Sequence, residues 1–66
     1  MIGIIKSYSP EHGYGFIQNE NGRDYWFHAS EWMSRKYKYP LPYLTVVFTP
    51  VKGKKGYKAI KVKETT

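Results

Sequence analysis

Cysteine is absent from the 66-residue chain, so neither a disulfide nor a thiolate zinc site is available to staple it. His12 and His28 are the only histidines, and two imidazoles alone do not complete a structural zinc site. No apolar run approaches the roughly 18 residues that a membrane helix needs. The opening segment MIGIIK does not read as a signal peptide. These absences point to a cytoplasmic protein with no metal, no cofactor and no membrane partner. Acidic residues are scarce as well, five against eleven Lys and Arg, for a net charge of +6. A chain this short is expected to form one domain over residues 1–66, and its core is marginal unless the fold is very compact or closed.

The charge that is present is unevenly placed. Residues 1–34 carry two bases against four acids, a net −2, and residues 35–66 carry nine bases against Glu64 alone, a net +8. A field of that sign favours polyanions, either nucleic acid or an anionic surface; the plainer reading is a solubilising surface. Aromatic residues are abundant, with seven Tyr, three Phe and two Trp. A core of this size absorbs about half of them, which leaves the rest on the surface, where rings are a binding platform or a liability.

The chain reads as all-β. Residues 2–8 are rich in β-branched and aromatic side chains and end at the turn signal Ser9-Pro10. A second run, 14–19, closes at Asn21-Gly22, a strong hairpin signal, and a third run follows over 23–28. Residues 29–34 suit a single helical turn with Ser30 as its cap. The two prolines of 35–43 mark a loop, and two further strands are expected near 44–51 and 57–63. Gly13, Gly15, Gly53 and Gly56 read as turn and bulge residues, since no helix follows them to make a phosphate cradle. Five short strands in so small a chain are best accommodated by a closed barrel, and three meandering strands followed by a long connection and a final pair suit a five-stranded antiparallel OB-fold barrel.

Strand alternation assigns the faces. Ile17 belongs inside, so Tyr14 and Phe16 point outward. With Tyr25 and Phe27 filling the barrel, Trp26 and His28 join them on the outside. Ile60 and Val62 are expected in the core, with Lys58, Lys61 and Lys63 toward solvent, and Trp32 is expected to be a core residue. Adjacent exposed rings in a basic protein suit unpaired nucleic acid, because each nucleobase offers a π-face worth roughly 1–3 kcal/mol in stacking. Lysines such as Lys38, Lys54, Lys55 and Lys58 would neutralise phosphates, and a duplex hides its base faces.

These residues also resemble a known family. The stretch Lys6-Ser7-Tyr8-Ser9-Pro10-Glu11-His12-Gly13-Tyr14-Gly15-Phe16-Ile17 is similar to the cold-shock domain pattern K-W-F-N-x-x-K-G-F-G-F-I. Asp24-Tyr25-Trp26-Phe27-His28 resembles that family's second motif, D-V-F-V-H-F, and residues 53–62 resemble its closing G-x-K-G-P-Q-A-x-N-V segment. The resemblance covers roughly residues 3–62. It implies an OB barrel that binds single-stranded RNA and DNA with little sequence preference and acts as an ATP-independent RNA chaperone or a regulator of gene expression. It further implies stacking on Tyr14, Phe16, Trp26 and His28, aromatic contacts from Tyr8 and Tyr37, and a phosphate contact from Lys6.

The departures from the pattern weaken that surface. Ser7 stands where the family has tryptophan, Ala29 where it has phenylalanine, and His12 where it has lysine, while Trp26 enlarges one platform. Binding weaker by one or two stacked bases is expected, along a path shifted toward Tyr37, Tyr39 and the basic C-terminal half. A rival reading is a protein-interaction module using Tyr37, Tyr39 and Tyr43 around Pro40 and Pro42. Acid–base catalysis by His12 or His28 with Glu11 or Glu31 is not expected, because an open sheet face supplies no enclosed pair. The basic, closed barrel favours a monomer.

Overall fold

The computed structural model describes residues 1–65. Its strands are β1 (Ile2–Ser9), β2 (Tyr14–Asn19), β3 (Asp24–His28), β4 (Thr45–Gly53) and β5 (Gly56–Glu64), and a 3-10 turn, Ala29–Glu31, follows β3 directly. They form a closed barrel in the order β1-β2-β3-β5-β4. The expected five-stranded barrel is therefore present, but its sheet is mixed rather than wholly antiparallel. β3 and β5 run parallel, in register at Trp26 and Lys58. Strands in a closed ring alternate in direction throughout only when their number is even, so a five-stranded ring contains a parallel pair.

Each hairpin connection has a local cause. Gly13 takes a φ of 73° in the β1–β2 turn and Gly22 a φ of 83° in the β2–β3 turn, a region glycine enters without a Cβ clash. Asn19 holds the second turn, its Oδ1 accepting the N–H groups of Asn21 (3.1 Å) and Arg23 (2.9 Å). β4 and β5 extend toward each other until Gly53 pairs with Gly56, leaving Lys54-Lys55 as a two-residue connection.

The interior is filled by Ile5, Ile17, Tyr25, Phe27, Val46, Phe48, Ala59 and Val62. Tyr25 and Phe27 are buried as alternation required, at 2% and 0% exposure. The Tyr25 ring packs against Phe48 at 5.0 Å and Tyr57 at 5.7 Å. Tyr25 also lines a shallow opening beside Met1, Asn19 and Arg23. Trp32 is half-buried against the core, and its Nε1–H donates to the Tyr37 carbonyl at 2.9 Å.

Two bulges reset the alternation. In β1 the register slips between Ile5 and Ser7, so Gly3 and Ile5 face inward before the slip and Tyr8 is half-buried after it. In β5 an extra residue opposes β4 between Val47 and Thr49. Lys61 takes a φ of 53° there, and its N–H donates to Glu31 Oε1 at 3.1 Å. That bulge corrects the expected core: Ala59 and Val62 are fully buried, whereas Ile60 is only half-buried. Strict two-residue alternation places Ile60 with Val62, and the inserted residue breaks it.

Gly15 is more than a turn residue. A Cβ at this position would lie 2.5 Å from the Ser7 carbonyl oxygen and 3.0 Å from the Phe27 ring. Only a residue without a side chain lets β1 and Phe27 close over β2 here. Gly15→Ala is therefore expected to destabilise the fold by about 1–3 kcal/mol. Thermal unfolding followed by circular dichroism would register this as a melting temperature lowered by roughly 5–20 °C; an unchanged melting temperature would contradict the packing described.

Candidate functional site

The β2–β3 pairing sets Tyr14 against His28 and Phe16 against Trp26, and directly paired residues share a face. Because Gly15, Ile17, Tyr25 and Phe27 are buried, all four partners face outward. Tyr14 is 41% exposed, and Phe16 and Trp26 are each 36% exposed. Continuing across the barrel, Phe16 is level with Ser7 on β1, Trp26 with Lys58 on β5, and Lys58 with Val51 on β4. One outward row therefore reads Ser7, Phe16, Trp26, Lys58, Val51, with Tyr14 and His28 in a parallel row beside it.

Contacts within this face order the rings. Tyr14 and Phe16 meet edge to face at 6.0 Å, and the His12 ring, tilted by 58°, is also 6.0 Å from Tyr14. The His12 Nδ1 is 2.8 Å from Ser9 Oγ. The Lys58 ammonium lies over the Trp26 ring, 5.2 Å from its centroid.

His28 does two jobs. Its Nδ1 accepts the Ser30 N–H at 3.1 Å and caps the 3-10 turn. This corrects the expectation that Ser30 is the cap, although the Ser30 hydroxyl also lies 2.9 Å from the same nitrogen. A backbone N–H only donates, so the bond places the proton of the neutral ring on Nε2.

The other sequence-derived residues lie around this face, under it or away from it. Lys6 stands at the β1 bulge with its ammonium 3.1 Å from Asp24 Oδ2, both side chains about half exposed. Tyr8 lies on the inner side, its ring nearly parallel to Phe27 at 6.1 Å and 12°, and supports the face from beneath. Lys54 and Lys55 are exposed at the β4–β5 hairpin tip. Tyr37 is half-buried, with its backbone held at both ends: its N–H donates to Ser34 Oγ at 2.9 Å and its carbonyl accepts from Trp32. Lys38 lies over Tyr39 at 5.5 Å.

Three features were not read from the sequence. Lys36 stacks over Tyr37 at 5.4 Å, and the Lys-Tyr-Lys-Tyr alternation was the available signal for it. Arg23 stacks over Tyr57 at 4.1 Å, a contact between the β2–β3 turn and β5 with no local signature. Glu64, only 7% exposed, accepts the Ser34 hydroxyl proton through Oε2 at 2.8 Å and so anchors the 34–37 loop. Among the described residues its Oε1 is the one buried side-chain polar atom without a partner.

The face is open. A concavity lies elsewhere, beside Ile2, Ile4, Gln18, Asn19 and Tyr43. No helix of the described residues is long and apolar enough to cross a membrane, and they contain no cluster of three metal-ligating side chains.

A closed five-stranded barrel with a ring-bearing, lysine-edged outer sheet defines the OB class of nucleic-acid-binding modules. Residues 1–65 match the 'Cold-shock' DNA-binding domain family. Over 60 residues the chain is 32% identical to the Major cold shock protein of Streptococcus pyogenes serotype M18, covering 91% of this chain and 90% of that protein. The serotype M1 protein matches to the same extent. The fold is similar to drosophila Unr CSD456, with a TM-score of 0.78 over 98% of this chain at 24% identity, and this chain spans about a quarter (26%) of that one. The chain belongs to the cold-shock domain family, whose members bind nucleic acid and are not enzymes.

Capping by His28 has a measurable consequence. His28→Ala is expected to cost on the order of 1 kcal/mol, read as a lowered thermal midpoint. A two-bond proton–nitrogen spectrum of the unsubstituted protein should show the neutral His28 ring protonated at Nε2; protonation at Nδ1 would refute the cap.

Proposed function

We infer that the chain binds single-stranded RNA and DNA by stacking bases on Tyr14, Phe16, Trp26 and His28, with phosphates neutralised by the surrounding lysines. The observation that carries this reading is the β2–β3 register, which pairs Tyr14 with His28 and Phe16 with Trp26 on one open face. Stacking needs exposed base faces, so the surface favours unpaired strands over duplex. A protein that captures unpaired segments shifts weak hairpins toward the open form by mass action, which is an RNA-chaperone activity needing no ATP. The chain acts in this way as a cytoplasmic monomer.

Lysines contribute unequally in this reading. Lys58 borders Trp26 directly, and Lys54, Lys55 and Lys38 supply longer-range attraction. Lys6 exchanges Asp24 for a phosphate when a strand binds; an exposed ion pair of that kind is weak enough to be displaced. His12 extends the surface past Tyr14, and Tyr37 extends it beyond the 3-10 turn. Tyr8 contributes by backing Phe27. Ser7 beside Phe16 supplies no ring, so binding is weaker than in a member with tryptophan there. The peptide-binding alternative lacks comparable support: no ring pair joins Tyr37, Tyr39 and Tyr43 among the described residues, and Pro40 is buried.

Tryptophan fluorescence titrated with thymine, uracil, adenine and cytosine heptamers and with a duplex control tests this function. Single strands should quench the emission and the duplex should not. The logarithm of the affinity should fall with the logarithm of salt at a slope near −0.7 per phosphate contacted. Trp26→Ala should weaken binding roughly fivefold to a hundredfold while leaving the thermal midpoint nearly unchanged. Absence of binding to every single strand at low salt would refute the proposal.

A further inference from the structure

Trp26 differs from the other rings of the face in two respects. It is bicyclic, so its area matches a purine, and it alone among the four carries a cation on its ring, the Lys58 ammonium at 5.2 Å. Lys58 is fixed in that position by the parallel β3–β5 contact, which puts it level with Trp26. Its side chain is only half exposed, and it forms no ion pair among the described residues. Lys6, by contrast, is held by Asp24.

We propose that Trp26 and Lys58 form a base-selective subsite that prefers guanine. This inference rests on the stacking reading of the face. A base settling on the indole at about 3.5 Å enters the space beneath the ammonium and displaces it to the rim of the base. An ammonium offers three donors and no acceptor, so the base it best tolerates at its rim is the one with the most acceptors there. On the edge that carries N7, guanine presents N7 and O6 side by side, whereas adenine sets an amino donor beside its N7, and the pyrimidines cover less of the indole with their single ring. Displacing the cation from the indole costs the same for every base, so the contact regained at the rim decides the preference. Elsewhere on the face no cation lies over Tyr14, Phe16 or His28 among the described residues, and stacking there is indifferent to base identity.

Thymine heptamers with one central replacement test the subsite, measured by fluorescence anisotropy at fixed salt. A single guanine should bind about fivefold more tightly than a single adenine. Inosine, which keeps N7 and O6, should retain that advantage, and 7-deazaguanine should lose part of it. Lys58→Met keeps the stem, removes the donors and should level guanine with adenine while the all-thymine strand still binds; Lys58→Arg should preserve the preference. Circular dichroism confirms that both variants are folded. Guanine no better than adenine, or an advantage undiminished in folded Lys58→Met, overturns the subsite and leaves the stacking function standing. Failure of the unsubstituted protein to bind the all-thymine strand overturns both.

Discussion

The Phe27 ring closes the barrel by lying against a stretch of β2 that has no side chain at Gly15. That close approach fixes the phase of the central hairpin. With Gly15 and Ile17 turned inward beneath Phe27 and Tyr25, the residues between them are forced out. Because β2 and β3 are directly paired, the outward residues align as two cross-strand ring pairs. Shifting β3 by one residue would expose Tyr25 and Phe27, and shifting β2 would expose Ile17, so the register that packs the core also sets which rings face outward. Tyr8 completes the arrangement from below by stacking on Phe27.

Tertiary structure also sorts the charges. The +8 of residues 35–66 looks in the sequence like an undifferentiated basic tail. In the fold, Lys36 and Lys38 lie on the rings of their chain neighbours, Lys58 lies on Trp26, and Lys54 and Lys55 stand free at a hairpin tip. A lysine on an aromatic ring keeps its charge while covering part of the ring's face. Glu64 is the exception among these residues, a buried carboxylate that holds the 34–37 loop through Ser34. The contacts near the ring-bearing face are thus exposed and weak, whereas the Glu64 carboxylate that holds the loop through Ser34 is buried.

Two of the departures from the family pattern remove a ring from the borders of this face. Ser7 occupies the end of the Phe16–Trp26 row, and Ala29 begins the 3-10 turn after His28. At the opposite end the row runs on to Lys58 and Val51. The row therefore carries no ring at its β1 end and a cation over the Trp26 ring on its β5 side.

The sequence by itself determined the strands, the barrel class and the outward set Tyr14, Phe16, Trp26 and His28, because each depends on period-two alternation and turn residues that act locally. It did not determine the inward turn of Tyr8, the exchange of Ala59 for Ile60 in the core, the His28 cap, the Lys6–Asp24 pair or the Lys58–Trp26 contact. The first two follow from bulges, where one inserted residue reverses alternation and only the partner strand reveals the insertion. The ion pair and the cation–ring contact join residues 18 and 32 positions apart in the chain, and it was barrel closure, through an unavoidable parallel β3–β5 seam, that brought the second of these together.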